Sequence, residues 1–450
     1  MVAKIMANYS YITRGEAKAE LSIRLEDSGM VFWISDELDR YLNEALRVWN
    51  CLTQWWTVKY VTTLNPPLLA NWQSTNVIGS PRQRNRTDTD IYSFIEYQLL
   101  EPASGGTWTG TPQFAIADLQ QAVQRRQDEV LQTTACSMLD ISSLGITPNS
   151  NTVTLPDNVL DVRRVRYVPA TGFGSPQTLE RSDTLAFQRF SPSYQQTTAS
   201  PLRWDILAGP PLTLTFDALA PVPNNLQILT MQAGTVLAPP ADTPLQVPDD
   251  WTWVIKYGAL YDVLSEDNEC KDQERANYCR QRYLEGLQLM IQMPWCLQAW
   301  VNEFPVDVVS LAAADRFNYE WQSRATAYPG LVVGGIDLWA LSPAPVSLTS
   351  VTMLLVGNAI LQMVTDADQV QVPRDVMDAI LDEAQHIAAF KHGGLEFSET
   401  SALHKSFVDC AMRWNSRLRE SGIFPTDLRP LNQRQFEQQP RYAAGGASNA

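Results

Sequence analysis

The chain has 450 residues, room for about three domains, and 45% of them are hydrophobic, enough to build real cores. A formal net charge of -15 argues against a protein that grips nucleic acid through a broad basic face. It leaves open a wall past which DNA slides, where acidic charge prevents sticking.

In chain order, residues 11 to 26 read as a short helix with Ile12, Ala19 and Ile23 on one side, ending near Ser28-Gly29. A second helix is predicted from a Ser35 cap, with Leu38, Tyr41, Leu42, Ala45, Leu46, Trp49, Leu52 and Trp56 as its apolar stripe. Asp36 with Arg40 and Glu44 with Arg47 read as pairs on its wet face. Asn65-Pro66-Pro67 and the basic cluster Arg82, Arg84, Arg86 mark a loop or long hairpin, the cluster being a solvated face or a partner contact. A glycine-rich turn follows, and Thr111-Pro112 starts a helix that runs to about Cys136.

From Asn149 the pattern changes to strands. Val153-Thr154-Leu155 alternates, whereas strict alternation over Leu160 to Tyr167 would put Arg164 and Arg166 on the face of Leu160 and Val162. Either a bulge shifts the register at Arg163-Arg164 or the strand is an exposed edge. A strand at Thr178 to Arg181 and a short helix with Leu185 and Phe190 follow.

The chain then repeats itself. Residues 203 to 289 pass from one alternating segment (Leu212, Leu214, Phe216) through Pro221-Val222-Pro223 to a second (Leu226, Ile228, Leu229), then Gln246-Val247-Pro248-Asp249-Asp250 and two helix-like segments. Residues 330 to 418 repeat that order through Pro343-Ala344-Pro345 and Gln371-Val372-Pro373-Arg374-Asp375, and Leu311 to Trp321 gives a looser echo of the preceding stretch. Pro-x-Pro marks a hairpin turn or an edge, and proline followed by aspartate suits a helix start. The expected fold is α+β: a helical block with a long hairpin or loop at 1–140, two tandem modules of antiparallel strands plus a helical hairpin at 149–300 and 305–420, and an extended tail at 421–450 that orders only against a partner.

Catalytic chemistry finds little to work with. There are three histidines, and Glu383-x-x-His386 resembles half of a di-iron carboxylate site whose second half is missing, so a helix-surface histidine is the expectation. Gly105 to Thr111 has the glycines of a phosphate loop without its lysine, and Glu266 to Glu269 lacks the spacing of a calcium loop. No catalytic residue, metal site or cofactor is expected. A glycan-cleaving enzyme would need a carboxylate pair in a cleft, whereas acidic residues here fall at helix starts and turns. Six cysteines without a CxxC read as reduced core thiols. The first twenty residues lack the apolar block of a signal peptide, and Ser350 to Val364 is too short to span a bilayer.

Several of these segments together resemble the head-to-tail adaptor (connector) proteins of tailed-phage necks. They are the helix Asp36-Glu37-Leu38 to Asn43-Glu44-Ala45-Leu46-Arg47, the strand region with Leu155-Pro156 and Leu160 to Val165, then Pro201-Leu202-Arg203-Trp204, Pro221-Val222-Pro223, and Val247-Pro248-Asp249 entering a helical hairpin. The resemblance covers roughly residues 12 to 291, and the second module at 306 to 420 departs from it. It implies a virion protein made in the bacterial host cytoplasm. It also implies a dodecameric ring that joins the portal to tail, nozzle or fibre proteins while dsDNA passes through the lumen without sequence-specific binding. A tail, baseplate or fibre-attachment protein is the alternative. Expected contact residues are Trp49, Trp55 and Trp56 on the N-terminal helices, Arg82, Arg84 and Arg86, and Phe424, Arg429, Arg434, Phe436, Arg441 and Tyr442 in the tail.

Overall fold

In the computed structural model, α1 (Arg14–Arg24) begins where the Thr13 hydroxyl accepts from the Glu16 amide and the Glu16 carboxylate accepts from the Thr13 amide. The described residues are 11–420, except 65–71, 75–83, 101–113, 170–175, 267–270, 318–320, 322–329 and scattered single positions or pairs. Helix α2 (Ser35–Thr53) has Ile34 rather than Ser35 at its cap, buries Leu38, Tyr41, Leu42, Ala45, Leu46 and Trp49, and closes on Gln54 at φ 56°. Strands β1 (Thr57–Leu64) and β2 (Trp72–Ser74) follow, β2 in the stretch expected to be a loop or long hairpin.

The next segment starts the same way. Helix α3 (Asp88–Leu99), absent from the sequence reading, carries the same reciprocal cap through Thr87 and Asp90. Helix α4 (Ile116–Thr134) has 19 residues like α2 and closes on Ala135, also at φ 56°. Then come β3 (Met138–Ile146), β4 (Thr152–Thr154), β5 (Val159–Val168), β6 (Gln177–Arg181), α5 (Thr184–Phe190), β7 (Arg203–Leu207), β8 (Thr213–Phe216) and β9 (Asn224–Gln232). A 3-10 turn over Asp249–Trp251 leads into α6 (Thr252–Ser265) and α7 (Gln273–Gln292). The last third contributes β10 (Cys296–Val301), β11 (Phe304–Ser310), α8 (Leu311–Phe317), β12 (Gly330–Val333), β13 (Leu338–Ser342), β14 (Thr349–Val356), α9 (Arg374–Ala389), α10 (Gly394–Glu399) and α11 (Ser401–Glu420). The fold is α+β, as expected.

Two seven-stranded sheets result, ordered β3-β9-β5-β6-β7-β8-β4 and β1-β14-β10-β11-β12-β13-β2. Position for position they have the same topology, and each has a single parallel pairing among its described strands, β6 with β7 and β11 with β12. Each sheet is therefore mixed, not a small antiparallel pair. The strands flanking Pro221 to Pro223 do not pair with each other, since β9 lies between β3 and β5, away from β8; Val222 and Pro223 lie outside the described residues. The likeness extends to single bonds. Arg14 N donates to Asp368 O at 2.8 Å and Asp88 N to Thr243 O at 2.9 Å; Val370 N donates to Ile12 O and Leu245 N to Arg86 O, both at 2.9 Å. Topologically, α3 through α7 form one complete unit. It is inserted between β2 and β10 of a second unit made of α1 to β2 and β10 to α11.

The helices of both units bury their apolar faces in one shared core, and each sheet has a core of its own. The irregular strand expected at Arg163-Arg164 is β5, whose pairing with β9 shifts register between Val162 and Arg164. It is a central strand, bonded to β6 on its other side, so the bulge and not an exposed edge explains the pattern. The shift sends the buried Arg164 guanidinium to Asp315 on α8 and over the Trp321 ring, tying the inner sheet to the outer unit.

Candidate assembly interface

The junction between the units is built from buried charge. Helix α7 of the inner unit places Arg282 Nη2 3.1 Å from Glu383 Oε1 on α9, and the other Glu383 oxygen lies 2.7 Å from His404 Nδ1 on α11. Burial alone would raise the Glu383 carboxyl, but Arg282 and His404 outweigh it and hold the group below its ordinary range. Beside it, burial pushes His386 down to about 4. Glu383 and His386 are thus wholly buried, which corrects the expected helix-surface histidine, and the cluster's cation is an arginine from the other unit. Among the described residues no group of His, Cys, Asp or Glu is arranged to hold a metal.

Three more contacts continue the junction. Glu44 on α2, expected on a wet face, is buried and takes a 2.5 Å bond from Lys256 Nζ on α6, because α2 is covered by the inner unit on that side. Arg40 and Tyr41 on α2 meet Tyr97 and Phe94 on α3, with the Arg40 guanidinium 5.7 Å from the Tyr97 ring centre and the Tyr41 and Phe94 rings 5.6 Å apart. Asp250 accepts from Asn50 at 3.2 Å and from the Ala359 amide at 3.3 Å, and burial pushes its carboxyl up to about 6. Charges this deeply buried stand only with their partners in place, so they fix one docking geometry between the units.

The residues expected to contact partners are scattered. Trp49 lies wholly in the core against Phe407. Trp55 is half-buried, donates to Gln371 O at 2.9 Å and stands edge-on to Trp414. The half-buried Trp56 donates its amide to Asn50. Arg84 donates to the carbonyls of Gln246 and Cys136, and Arg86 pairs with Asp90. Arg82 and the tail residues Phe424, Arg429, Arg434, Phe436, Arg441 and Tyr442 lie outside the described residues. Sequence reasoning missed a repeated surface feature. The short helices α5 and α8 each end on an exposed phenylalanine, Phe190 at 73% and Phe317 at 84%, in equivalent places of the two units. The amphipathic spacing of so short a helix gives no signal that its last residue is left outside.

The chain is a paired fold with a junction of buried charge and with exposed phenylalanines in equivalent places of its two units. Residues 89–295 match the family described as SU10 adaptor protein, just under half of the chain, and this match indicates a phage head-to-tail adaptor family. The matched stretch runs from the second residue of α3 to just past α7, and so coincides with the inner unit. The helix Asp36 to Arg47, used for the resemblance, lies outside it, and α4 is its counterpart within. The match supports a phage adaptor structural protein and implies a component of the virion. No curated protein matches it. No helix among the described residues is long and apolar enough to cross a membrane.

Proposed function

We propose that the protein forms a closed homo-oligomeric ring between the portal and the tail or nozzle, with dsDNA passing down its centre. The observation that carries this reading is the adaptor-family match over one complete folded unit. Three features support it. The net charge of -15 suits a lumen that DNA must cross without sticking. The exposed Phe190 and Phe317 give both units the same anchor for a neighbouring ring. Residues 421–450 supply Phe424, Phe436 and Tyr442 among arginines 429, 434 and 441, a segment suited to docking on a partner. The ring has twelve positions, matching the portal, as the resemblance implies, and it holds DNA without reading its sequence. Such a protein is made in the host cytoplasm and does no chemistry of its own.

The test is native mass spectrometry of the purified protein, alone and with the portal ring of the same phage. A portal complex carrying a closed set of chains is expected. A trimer or hexamer that ignores the portal would instead indicate a baseplate or fibre-attachment protein.

A further inference from the structure

Within the chain, the two units dock head to tail. The inner unit presents its first helix, α3, to the second helix of the outer unit, α2. The counterpart surfaces are the outer unit's first helix, α1, and the inner unit's second helix, α4, and they pack on their own units through their other faces. Both leave a polar face outside. Glu16 and Ile23 on α1 are exposed, Ile23 at 65%, as are Gln121 and Arg125 on α4, Arg125 at 64% of its side chain.

From the matched helix caps and ends, Tyr97 corresponds to Ile23, Phe94 to Glu20, Arg40 to Gln121 and Glu44 to Arg125. We propose that a second copy of this chain docks through α1 against α4, repeating between chains the α3–α2 contact already present within each chain. Six chains, each supplying two units, then fill the twelve positions of the ring. A head-to-tail contact repeated by one operator makes a closed ring when its rotation closes. The charges agree with this pairing: Phe94 lies under Lys256, the partner of Glu44, so the counterparts bring Glu20 of one chain near Arg125 of the next, each also held within its own chain, by Arg24 at 3.0 Å and by Asp262 at 2.7 Å. The contact between chains also lacks the aromatic pair of the internal one, because Tyr41 is replaced by Ala122 and Phe94 by Glu20. It is the weaker of the two, so the chain folds alone and closes its ring on a partner template. Each chain would also bring two like anchors, Phe190 and Phe317, to the partner face.

This inference rests on the adaptor reading, and cross-linking on the portal separates the two. Ile23→Cys and Gln121→Cys in one chain, added to portal rings under mild oxidation, should give a ladder of cross-linked chains that ends at six, while each single variant gives none. A ladder ending at twelve would overturn the count. A portal-bound ring that forms no cross-link would overturn the interface and leave the adaptor reading standing. Failure of the unmodified protein to bind the portal would overturn the adaptor reading itself; the interface is then read from cross-linking of concentrated free protein. As a second measurement, Glu20→Arg and Arg125→Glu should each abolish ring closure with an unchanged circular dichroism spectrum, and the two together should restore it. Single variants that still close the ring would overturn the pairing.

Discussion

Replacing Arg282 by methionine should destabilise the protein by about 3–5 kcal/mol, the usual cost of leaving one member of a buried ion pair alone. Glu383 is fully buried, and Arg282 supplies the permanent positive charge within 3.1 Å of it. His404, at 2.7 Å, would remain as a hydrogen-bond partner, which keeps the loss within that range. Part of the loss comes from stacking, because the guanidinium sits 5.2 Å from the Trp253 ring centre and 5.6 Å from that of Tyr257. Methionine fills similar apolar volume, so little of the effect is a cavity. Urea unfolding at pH 7, followed by tryptophan fluorescence, gives the value. The double variant Arg282→Met with Glu383→Gln removes the stranded charge and should recover about 2 kcal/mol or more of it. Because the pair joins α7 to α9, amide exchange at α9 should also speed up in the single variant. A single variant that loses less than about 1 kcal/mol, or a double variant no better than the single, would refute the claim that this pair locks the units.

Asp250 has its folded pKa raised to about 6, so its contribution is present in full below about pH 4 and is lost as pH rises through 6. Asp250→Asn should therefore gain about 3 kcal/mol on the parent between pH 4 and pH 7, read as the difference of two stability–pH curves. His386, depressed to about 4, has the opposite sign: its contribution is present above about pH 6.5 and lost as pH falls through 4. His386→Gln should flatten that acid limb, and an unchanged limb would mean the ring is not buried as a neutral group. Gly286 on α7 admits α6 so closely that an added Cβ would lie 2.6 Å from Val254 and 2.9 Å from Trp253, so Gly286→Ala should cost about 1–3 kcal/mol in the same unfolding assay. Deleting residues 422–450 should leave the melting curve unchanged and weaken portal binding, as measured by sedimentation with portal rings.

Much of the chain's order was legible before the fold. The Gln-Val-Pro repeat marked two helix starts, and the arginines at 163 and 164 marked a bulge, because both signals are local and tied to backbone chemistry. The insertion was not legible. β1 pairs with β14 and β2 with β13, partners more than two hundred residues away, and short strands carry too little alternation to announce such pairings. Helix α3 escaped notice because Asp88, Glu96 and Gln98 are buried on it, which blurs its apolar stripe. Glu44 and His386, the neighbour of Glu383, read as surface residues for the same reason. A buried charge looks like a wet one until its partner, here Lys256 or Arg282 of the other unit, is placed beside it.

The most direct test of the account is the mass of the complex formed when the protein is added in excess to purified portal rings. The account predicts one discrete species, a portal ring plus six chains of 50.5 kDa. A portal that gains no mass would contradict the adaptor role at its root.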